Sequence, residues 1–357
     1  MRYIKRRTIN SQIKIYGSVM ILMVLMITCY HHYKYSRGFL PTSPVNLEDF
    51  NTIYDDYNMT SPTFGTNFPV LFSSNRNSFG AQYDIIYEIF DIWFDRDDGT
   101  ITSGREIHHY TPGDKFLILK MVLPTINTSY NELGPYVIDY SFLCSDIYND
   151  KYYGKYFVMY ANDPSGNLDI MYTLNYEPGN ETSTTFIDPK PLIFLNSDYN
   201  EAYPCIDLDL NRIYYCTDRN GDFDIYFCQL ATDKYISDEI QDTLVDPTLI
   251  RSDILSSEGD DKCPYITSNI IVFTSNREGG FGGYDLWYAE KDSTDWSIPV
   301  NFGENINTEY DEYRPVLIPM YEFKHDLLMF SSNRPGGQGG FDLYWVGVKT
   351  LVQNYDY

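Results

Sequence analysis

A repeated strand–turn–strand unit constrains this chain more than any other feature of its sequence. In the last copy, the strand-like run Leu327–Phe330 leads into Ser331–Arg334. A turn with five Pro or Gly positions within six residues follows, and then Asp342 opens an alternating strand. A strand, a Gly-rich turn and a second strand together predict an antiparallel hairpin. Five copies of the unit occur, namely Phe72–Arg76 with Tyr83–Tyr87, Met159–Asp163 with Leu168–Tyr172, Tyr214–Arg219 with Phe223–Tyr226, Phe273–Arg277 with Tyr284–Tyr288, and the last copy.

A proline upstream of each copy predicts the start of a further strand. These prolines are Pro62, Pro135, Pro204, Pro264 and Pro315, spaced 51 to 73 residues apart. A proline is tolerated at the first residue of a strand or on an edge. An acidic residue stands three positions before four of them, at Glu132, Glu201, Asp261 and Glu312. The spacing fits a four-stranded propeller blade with loops, so the sequence predicts an all-β propeller, most simply of five blades.

We expect the polar positions of the repeat to have structural roles. The Asn/Asp-Arg pair ends one strand and the Asp opens the next, and we expect that Asp to accept hydrogen bonds from turn N–H groups or from the Arg, fixing blade register. The motif residues are Asn75, Arg76, Asp84, Asp169, Asp218, Arg219, Asp224, Asn276, Arg277, Asp285, Asn333, Arg334 and Asp342.

These motifs resemble the WD40-like (PD40) repeat of TolB-type β-propellers over roughly residues 44–349. Copy two departs from the pattern, with Asp163 where the family has Arg. The segment Trp296–Thr308 with Asp311-Glu312 is similar to the inter-blade segment of PD40 proteins of the Bacteroidetes envelope. The resemblance implies a TolB-type propeller of the cell envelope, which we expect in the periplasm or at the outer membrane. We expect no cofactor.

The segment Pro44–Thr52 echoes Pro299–Thr308, and this likeness predicts how the ring closes. The last copy lacks an outer strand after Val348, so we expect residues 44–48 to supply it and remove an exposed sheet edge. The predicted organisation is a signal or anchor at 1–29, a linker at 30–43 and a propeller at 44–357.

The N-terminus predicts export. Five basic residues precede an apolar run of about eleven residues, Ser18–Thr28, which is short for a membrane span and typical of a signal peptide. Met26–Cys29 resembles a lipobox, which makes Cys29 a candidate lipidation site; an uncleaved anchor or plain secretion are the alternatives. His31 and His32 in the linker are read as solvated, with a metal role as the alternative.

Net charge argues against a nucleic-acid partner. The formal charge is −24, and excluding the five basic residues of 1–28 leaves 21 basic and 50 acidic residues, or −29. Nucleic-acid binding needs Lys and Arg to neutralise phosphate. The expected partners are therefore an envelope protein or a peptidoglycan or other glycan.

Candidate chemical sites are sparse. Asp218, Asn220 and Asp222 alternate as in a calcium loop, but Phe223 and Leu230 stand where an EF-hand needs Gly and Glu, so a structural turn is favoured over calcium. Five cysteines follow Cys29, and Cys205 and Cys216 are read as buried thiols or as a disulfide. His108 and His109 are adjacent and would point to opposite faces of a strand. No catalytic motif occurs.

The insertion 88–130 is predicted to add strands at Asp91–Phe94 and Phe116–Val122, around a turn at Asp95–Gly99. Residues 136–155 are predicted to lengthen blade two, and 177–200 and 231–259 are predicted as polar loops joining blades, where propellers often carry specificity. The predicted function is a non-enzymatic binding or scaffolding propeller of the envelope. The alternative is a glycan-acting hydrolase or lyase with carboxylates in the channel.

Overall fold

The computed structural model describes residues 33–62, 67–105, 114–140, 154–176, 184–230, 240, 248–292 and 295–352. The predicted signal with Cys29, the pair His31-His32, His108-His109 and Cys144 lie outside these residues. Within them, no helix is both long and apolar enough to cross a bilayer.

Five antiparallel sheets, each running outward from a central channel, confirm the predicted all-β propeller. Blade one contains β2 (Asp56–Thr60), β3 (Asn67–Ser74), β4 (Asp84–Phe94) and β5 (Ile101–Arg105). Blade two contains β6 (Glu132–Asp139), β7 (Tyr156–Asn162), β8 (Asp169–Leu174) and β9 (Lys190–Pro191). Blade three contains β10 (Glu201–Asp207), β11 (Arg212–Thr217), β12 (Asp224–Gln229) and β13 (Leu249–Arg251).

The last two blades complete the ring. Blade four contains β14 (Asp261–Thr267), β15 (Ile270–Ser275), β16 (Asp285–Asp292), and the short β17 (Asp295–Trp296) and β18 (Val300–Asn301), which both pair with β16. Blade five contains β19 (Glu312–Ile318), β20 (His325–Ser332), β21 (Asp342–Lys349) and, outermost, β1 (Val45–Asn46). Val45 lies opposite Trp345 and Asn46 opposite Tyr344, so the predicted closure by the N-terminal segment is confirmed.

Neighbouring blades are joined by the same pair of hydrogen bonds at every interface. The N–H of each inner-strand acid donates to the carbonyl of the residue before the repeat Asp of the previous blade, as from Glu132 to Tyr83 over 2.8 Å. The side chain one position before that acid accepts the N–H of the same residue, as Asn131 does from Tyr83. The equivalent pairs are Asn200 with Leu168, Asp260 with Phe223, Asp311 with Tyr284 and Asp55 with Phe341.

The predicted strand at Phe116–Val122 is wrong, because this segment belongs to helix α1 (Asp114–Lys120) and the turn after it, followed by α2 (Leu123–Ile126). Phe116, Leu119, Val122 and Ile126 are buried at spacings of three and four residues, whereas Leu117 and Met121 are exposed. That is the period of a helix. The buried face packs in an apolar cluster with residues of blades one and two.

Candidate functional site

All five inner strands contain a β-bulge at the same position, and this bulge shapes the channel. One residue of each bulge has φ between +50° and +58°, and these residues are Asn58, Gly134, Tyr203, Cys263 and Arg314. Proline follows this residue in four blades. In blade one the position is Met59, three residues after Asp56, so the assignment of Pro62 to this position was wrong. Bulges redirect side chains, here toward the axis.

The acid that opens each inner strand is completely buried in all five blades. Each accepts hydrogen bonds from the N–H and hydroxyl of a Ser or Thr four residues earlier, as Glu312 does from Thr308 at 2.7 Å each. In four blades the motif Arg also reaches this acid, forming the pairs Arg76–Asp56, Arg219–Glu201, Arg277–Asp261 and Arg334–Glu312 at 2.5–3.1 Å. These pairs neutralise charges that would be costly to bury alone.

The repeat Asp has other partners. Asp342 accepts the N–H groups of Gln338 (2.6 Å) and Gly339 (3.0 Å), and Asp285 accepts those of Phe281 (2.8 Å) and Gly282 (3.3 Å). We expected this Asp to accept hydrogen bonds either from turn N–H groups or from the motif Arg, and in blades four and five its partners include the turn N–H groups. In the other blades its partners are side chains: Asn77 for Asp84, Ser165 for Asp169, and Asn220 and Arg251 for Asp224.

Blade two lacks the arginine of this arrangement. Glu132 lies opposite Asn162, as Glu312 lies opposite Ser332, so Asp163 aligns with Asn333, and Pro164 takes the Arg position. The sequence assignment of Asp163 to the Arg position was thus wrong by one residue. Burial raises the pKa of Glu132 from 4.5 to about 7, against the opposing effect of hydrogen bonds from Thr128.

The motif Asn has a third role, since it holds the residue before the inner-strand acid. Asn75 accepts the N–H of Asp55, and Asn333 accepts that of Asp311. Asp218 and Asp163 do the same for Asn200 and Asn131. In blade four the contact is through the backbone, from the N–H of Asn276 to Asp260.

Half-buried aromatic rings of blades one, four and five line part of the mouth of the channel, at the end where the inner strands begin. We call the set Tyr57, Tyr83, Tyr284, Tyr313 and Phe341 the aromatic platform. The rings form a continuous series, with centroids 4.9 Å apart for Tyr83 and Tyr57, 6.4 Å for Tyr57 and Tyr313, and 5.4 Å for Tyr313 and Tyr284. Phe341 lies beside Tyr57 and Tyr313, at 5.8 and 6.3 Å.

A carboxylate stands at each end of this series. The Tyr83 hydroxyl donates to Asp55 at 2.7 Å, and the Tyr284 hydroxyl donates to Asp260. Lys262 Nζ lies 2.8 Å from Asp260 and 3.0 Å from the Tyr284 hydroxyl. Burial opposes ionisation of Asp260, but hydrogen bonds from Lys262, Tyr284 and the N–H of Phe223 outweigh it and lower its pKa. Asp260 is therefore held as an anion.

Buried side chains fill the channel beneath the platform. Tyr203 lies under Tyr313 at 6.2 Å, and deeper still Tyr136 and Tyr265 approach each other at 6.2 Å. Burial raises the pKa of Tyr136 and of Tyr203, which keeps both hydroxyls protonated. Side chains of several blades therefore meet inside the channel below the mouth.

The remaining candidate positions do not converge on the mouth. Asn220 of the proposed calcium turn donates to Asp224 and to the Tyr226 hydroxyl, and within the described chain no three His, Cys, Asp or Glu side chains are grouped to hold a metal. Cys205 and Cys216 are separate buried thiols, with Cys205 opposite Tyr214 and Cys216 opposite Ala202.

Sequence reasoning missed the platform and its carboxylates. The signal was available, because the platform residues occupy two fixed offsets of the repeat. Tyr57 and Tyr313 follow the inner-strand acid, and Tyr83, Tyr284 and Phe341 precede the repeat Asp. What the sequence did not provide was the blade-to-blade register that brings the two offsets together.

No protein-family profile matches the chain, and no curated protein does. Solved structures match its fold. An α-L-arabinofuranosidase from Podospora anserina in complex with cellotriose is 10% identical, with a TM-score of 0.47, over 88% of this chain and 96% of its own. The catalytic domain of a family 62 α-L-arabinofuranosidase from Coprinopsis cinerea is 11% identical, with a TM-score of 0.49, over 88% and 98%. An endo-arabinase from Bacteroides thetaiotaomicron is 14% identical, with a TM-score of 0.44, over 88% and 97%.

These matches correct the predicted function. The expectation of a non-enzymatic binding or scaffolding module, and with it that the chain is not an enzyme, does not stand, because the three solved structures named above are glycoside hydrolases, in line with the alternative expectation of a glycan-acting hydrolase. At such low identities the likeness is one of fold alone. An activity for this chain therefore has to be argued from its own site.

Proposed function

We propose that this chain is a glycan-acting hydrolase whose substrate binds at the channel mouth. The observation that carries the proposal is the aromatic platform with a carboxylate at each end. Sugar rings present C–H faces that pack on aromatic side chains, and their hydroxyls hydrogen-bond to carboxylates. A series of adjoining rings suits successive sugar units of a chain.

Carboxylates at the mouth are the candidates for the two acidic groups that glycoside hydrolysis needs. Such enzymes use one carboxyl as acid and another as base or nucleophile, on either side of the scissile bond. Asp260, held ionised by Lys262 and Tyr284, is the candidate base or nucleophile. Asp55 is the candidate for the other carboxyl group, and the hydroxyl of Tyr83 positions it.

The test is release of reducing ends from a panel of plant and bacterial polysaccharides. Asp260→Asn and Asp55→Asn should each lower kcat at least 100-fold on any polysaccharide that wild type cleaves. Tyr313→Ala should mainly raise KM, since it removes stacking area. Glu304→Gln, at an exposed acid in the linker after β18, is the matched control and should retain activity.

Two results would overturn the proposal. One is full activity in both aspartate variants, which would place the chemistry elsewhere. The other is binding of oligosaccharide that depends on Tyr313, measured by calorimetry, without cleavage of any member of the panel. The second result would leave the mouth as a glycan-binding surface and remove the hydrolytic step.

We further propose that the repeats belong to the PD40 group of TolB-type propellers and that the chain is exported and lipidated at Cys29. The repeated Asn/Asp-Arg and Asp positions and the lipobox-like Met26–Cys29 support this. A glycan of the envelope would then be the natural substrate. The intact mass of the protein purified from membranes tests the lipid.

A further inference from the structure

An arginine lies inside the channel, beneath the platform. Arg314 is the bulge residue of β19 in blade five and has no solvent-exposed surface. Its Nη2 crosses the channel and donates to the carbonyl of Pro135 in blade two over 3.1 Å. Its guanidinium carbon lies 5.7 Å from the centre of the Tyr203 ring, in blade three.

Within the described chain, the charge of Arg314 has no counterion. It forms no ion pair there, and its Nε and Nη1 have no oxygen or nitrogen acceptor; the adjacent Cys263 thiol is only a weak acceptor. The nearby acid Glu312 is already paired with Arg334. The four motif arginines each contact a buried carboxylate, so Arg314 stands apart from every arginine of the repeat. A buried charge without a partner is strongly unfavourable.

The surrounding side chains do not compensate this charge. Burial raises the pKa of the Cys263 thiol to about 12, although Arg314 itself favours the thiolate, and burial likewise raises that of Cys205. Tyr203 and Tyr136 also remain protonated. A positive charge therefore lies among neutral groups.

A second unpartnered group lies at the equivalent position of the adjacent blade. Asn58 is the bulge residue of β2, is completely buried, and has a left-handed φ of +58°. Neither its Nδ2 nor its Oδ1 has a partner in the described chain, and the same is true of Thr60 Oγ1. Because the bulges are equivalent around the ring, Asn58 and Arg314 occupy the same level of the channel.

We propose that Arg314 and Asn58 bind a small monovalent anion, chloride in the cell, within the channel. The guanidinium Nε–H and Nη1–H and the amide Nδ2–H are donors, and one negative charge neutralises the one positive charge. Because Arg314 and Asn58 are both completely buried, the site favours a small ion. The site lies below the mouth and is independent of the proposed hydrolysis.

Thermal unfolding in chloride, with gluconate replacing it at constant ionic strength, tests the site. Wild type should gain about 2–4 °C as chloride rises from 1 to 100 mM, because an anion that binds only the folded state stabilises it. Arg314→Met, which keeps the apolar stem, should lose this gain. Asn58→Gly, which keeps the left-handed backbone, should raise the apparent Kd for chloride about tenfold, the loss of one hydrogen bond to a charged group. The exposed Lys349→Met is the control for surface ions and should respond as wild type does.

Bromide crystallography of the wild-type protein provides an independent readout, should Arg314→Met fail to fold. An anomalous peak within hydrogen-bond distance of Arg314 Nε supports the proposal. The absence of such a peak at high bromide overturns it. An equal chloride response in wild type and Arg314→Met overturns it as well, since the ion would then act elsewhere.

Discussion

At the scale of single residues, the ring depends on five completely buried acids, four of which are each paired with an arginine. The sequence showed both residue types but predicted a different partner for the arginine. It also misplaced the pattern by one residue at Asp163 and missed Asp56. The first error arises because Asn162 stands where the other copies have Ser or Thr, and the second because blade one has Met59 where the other four blades have proline.

Glu132, the unpaired acid, makes stability depend on pH. Folding raises its pKa from 4.5 to about 7, so its contribution to stability is complete below pH 4.5 and is lost as pH rises through 7. Pro164→Arg would place an arginine at the position occupied by Arg334 in blade five. We expect the free energy of unfolding of this variant to be about 1–3 kcal/mol higher than that of wild type at pH 8, and the difference to be smaller at pH 5.

Urea unfolding at the two pH values measures this difference. Pro164→Ala is the matched control, because it removes the same ring without adding a charge. A gain of equal size in the Ala and Arg variants, or one that is independent of pH, would contradict the role given to Glu132.

At the scale of elements, the hairpins were the best predicted part of the chain. Alternating aromatic and branched residues predicted strands such as β20 and β21, which pair over eight residues. The helix α1 was missed because a short apolar run without clear capping residues fits a buried strand and a helix equally well. Its contact with the core of blades one and two decides between them.

The turn between β20 and β21 should depend on Asp342. Its carboxylate accepts two turn N–H groups and the amide of Asn46 (2.9 Å), and Gly337 leaves no room for a Cβ beside it. Asp342→Ala should lower the free energy of unfolding by about 1–3 kcal/mol, since it leaves these donors unsatisfied.

The equivalent change in blade one is the control. Asp84 is half-buried and accepts a hydrogen bond from the exposed Asn77 side chain, so Asp84→Ala should lower the free energy of unfolding by less. Chemical denaturation of both variants compares them. If both variants lose the same free energy of unfolding, the turn N–H groups that Asp342 accepts do not stabilise the hairpin.

At the scale of the whole molecule, the sequence predicted the number of blades and the closure. The repeated spacing and the echo between Pro44–Thr52 and Pro299–Thr308 were sufficient. The mouth was not predicted, because its residues come from different blades and meet only when the ring is assembled.

Removing the closing strand should open one edge of blade five. A chain beginning at Asp49 lacks β1 and exposes the free edge of β21. We expect it to melt at lower temperature and to form oligomers, measured by calorimetry and light scattering. A chain beginning at Pro44 keeps β1 and is the control for loss of the preceding residues. If the two truncated chains are equally stable and monomeric, β1 does not secure the ring.

The pairing of Val45 with Trp345 also orders events in time. The ribosome makes these residues 300 positions apart, so the first strand has to wait, unpaired, until the last blade has been synthesised. Contacts so distant in sequence form slowly. A chain that ends prematurely cannot complete its final sheet, however well its earlier blades fold. In a fragment that lacks β21, the outermost strand β1 stays unpaired, and the fragment is therefore exposed to proteases.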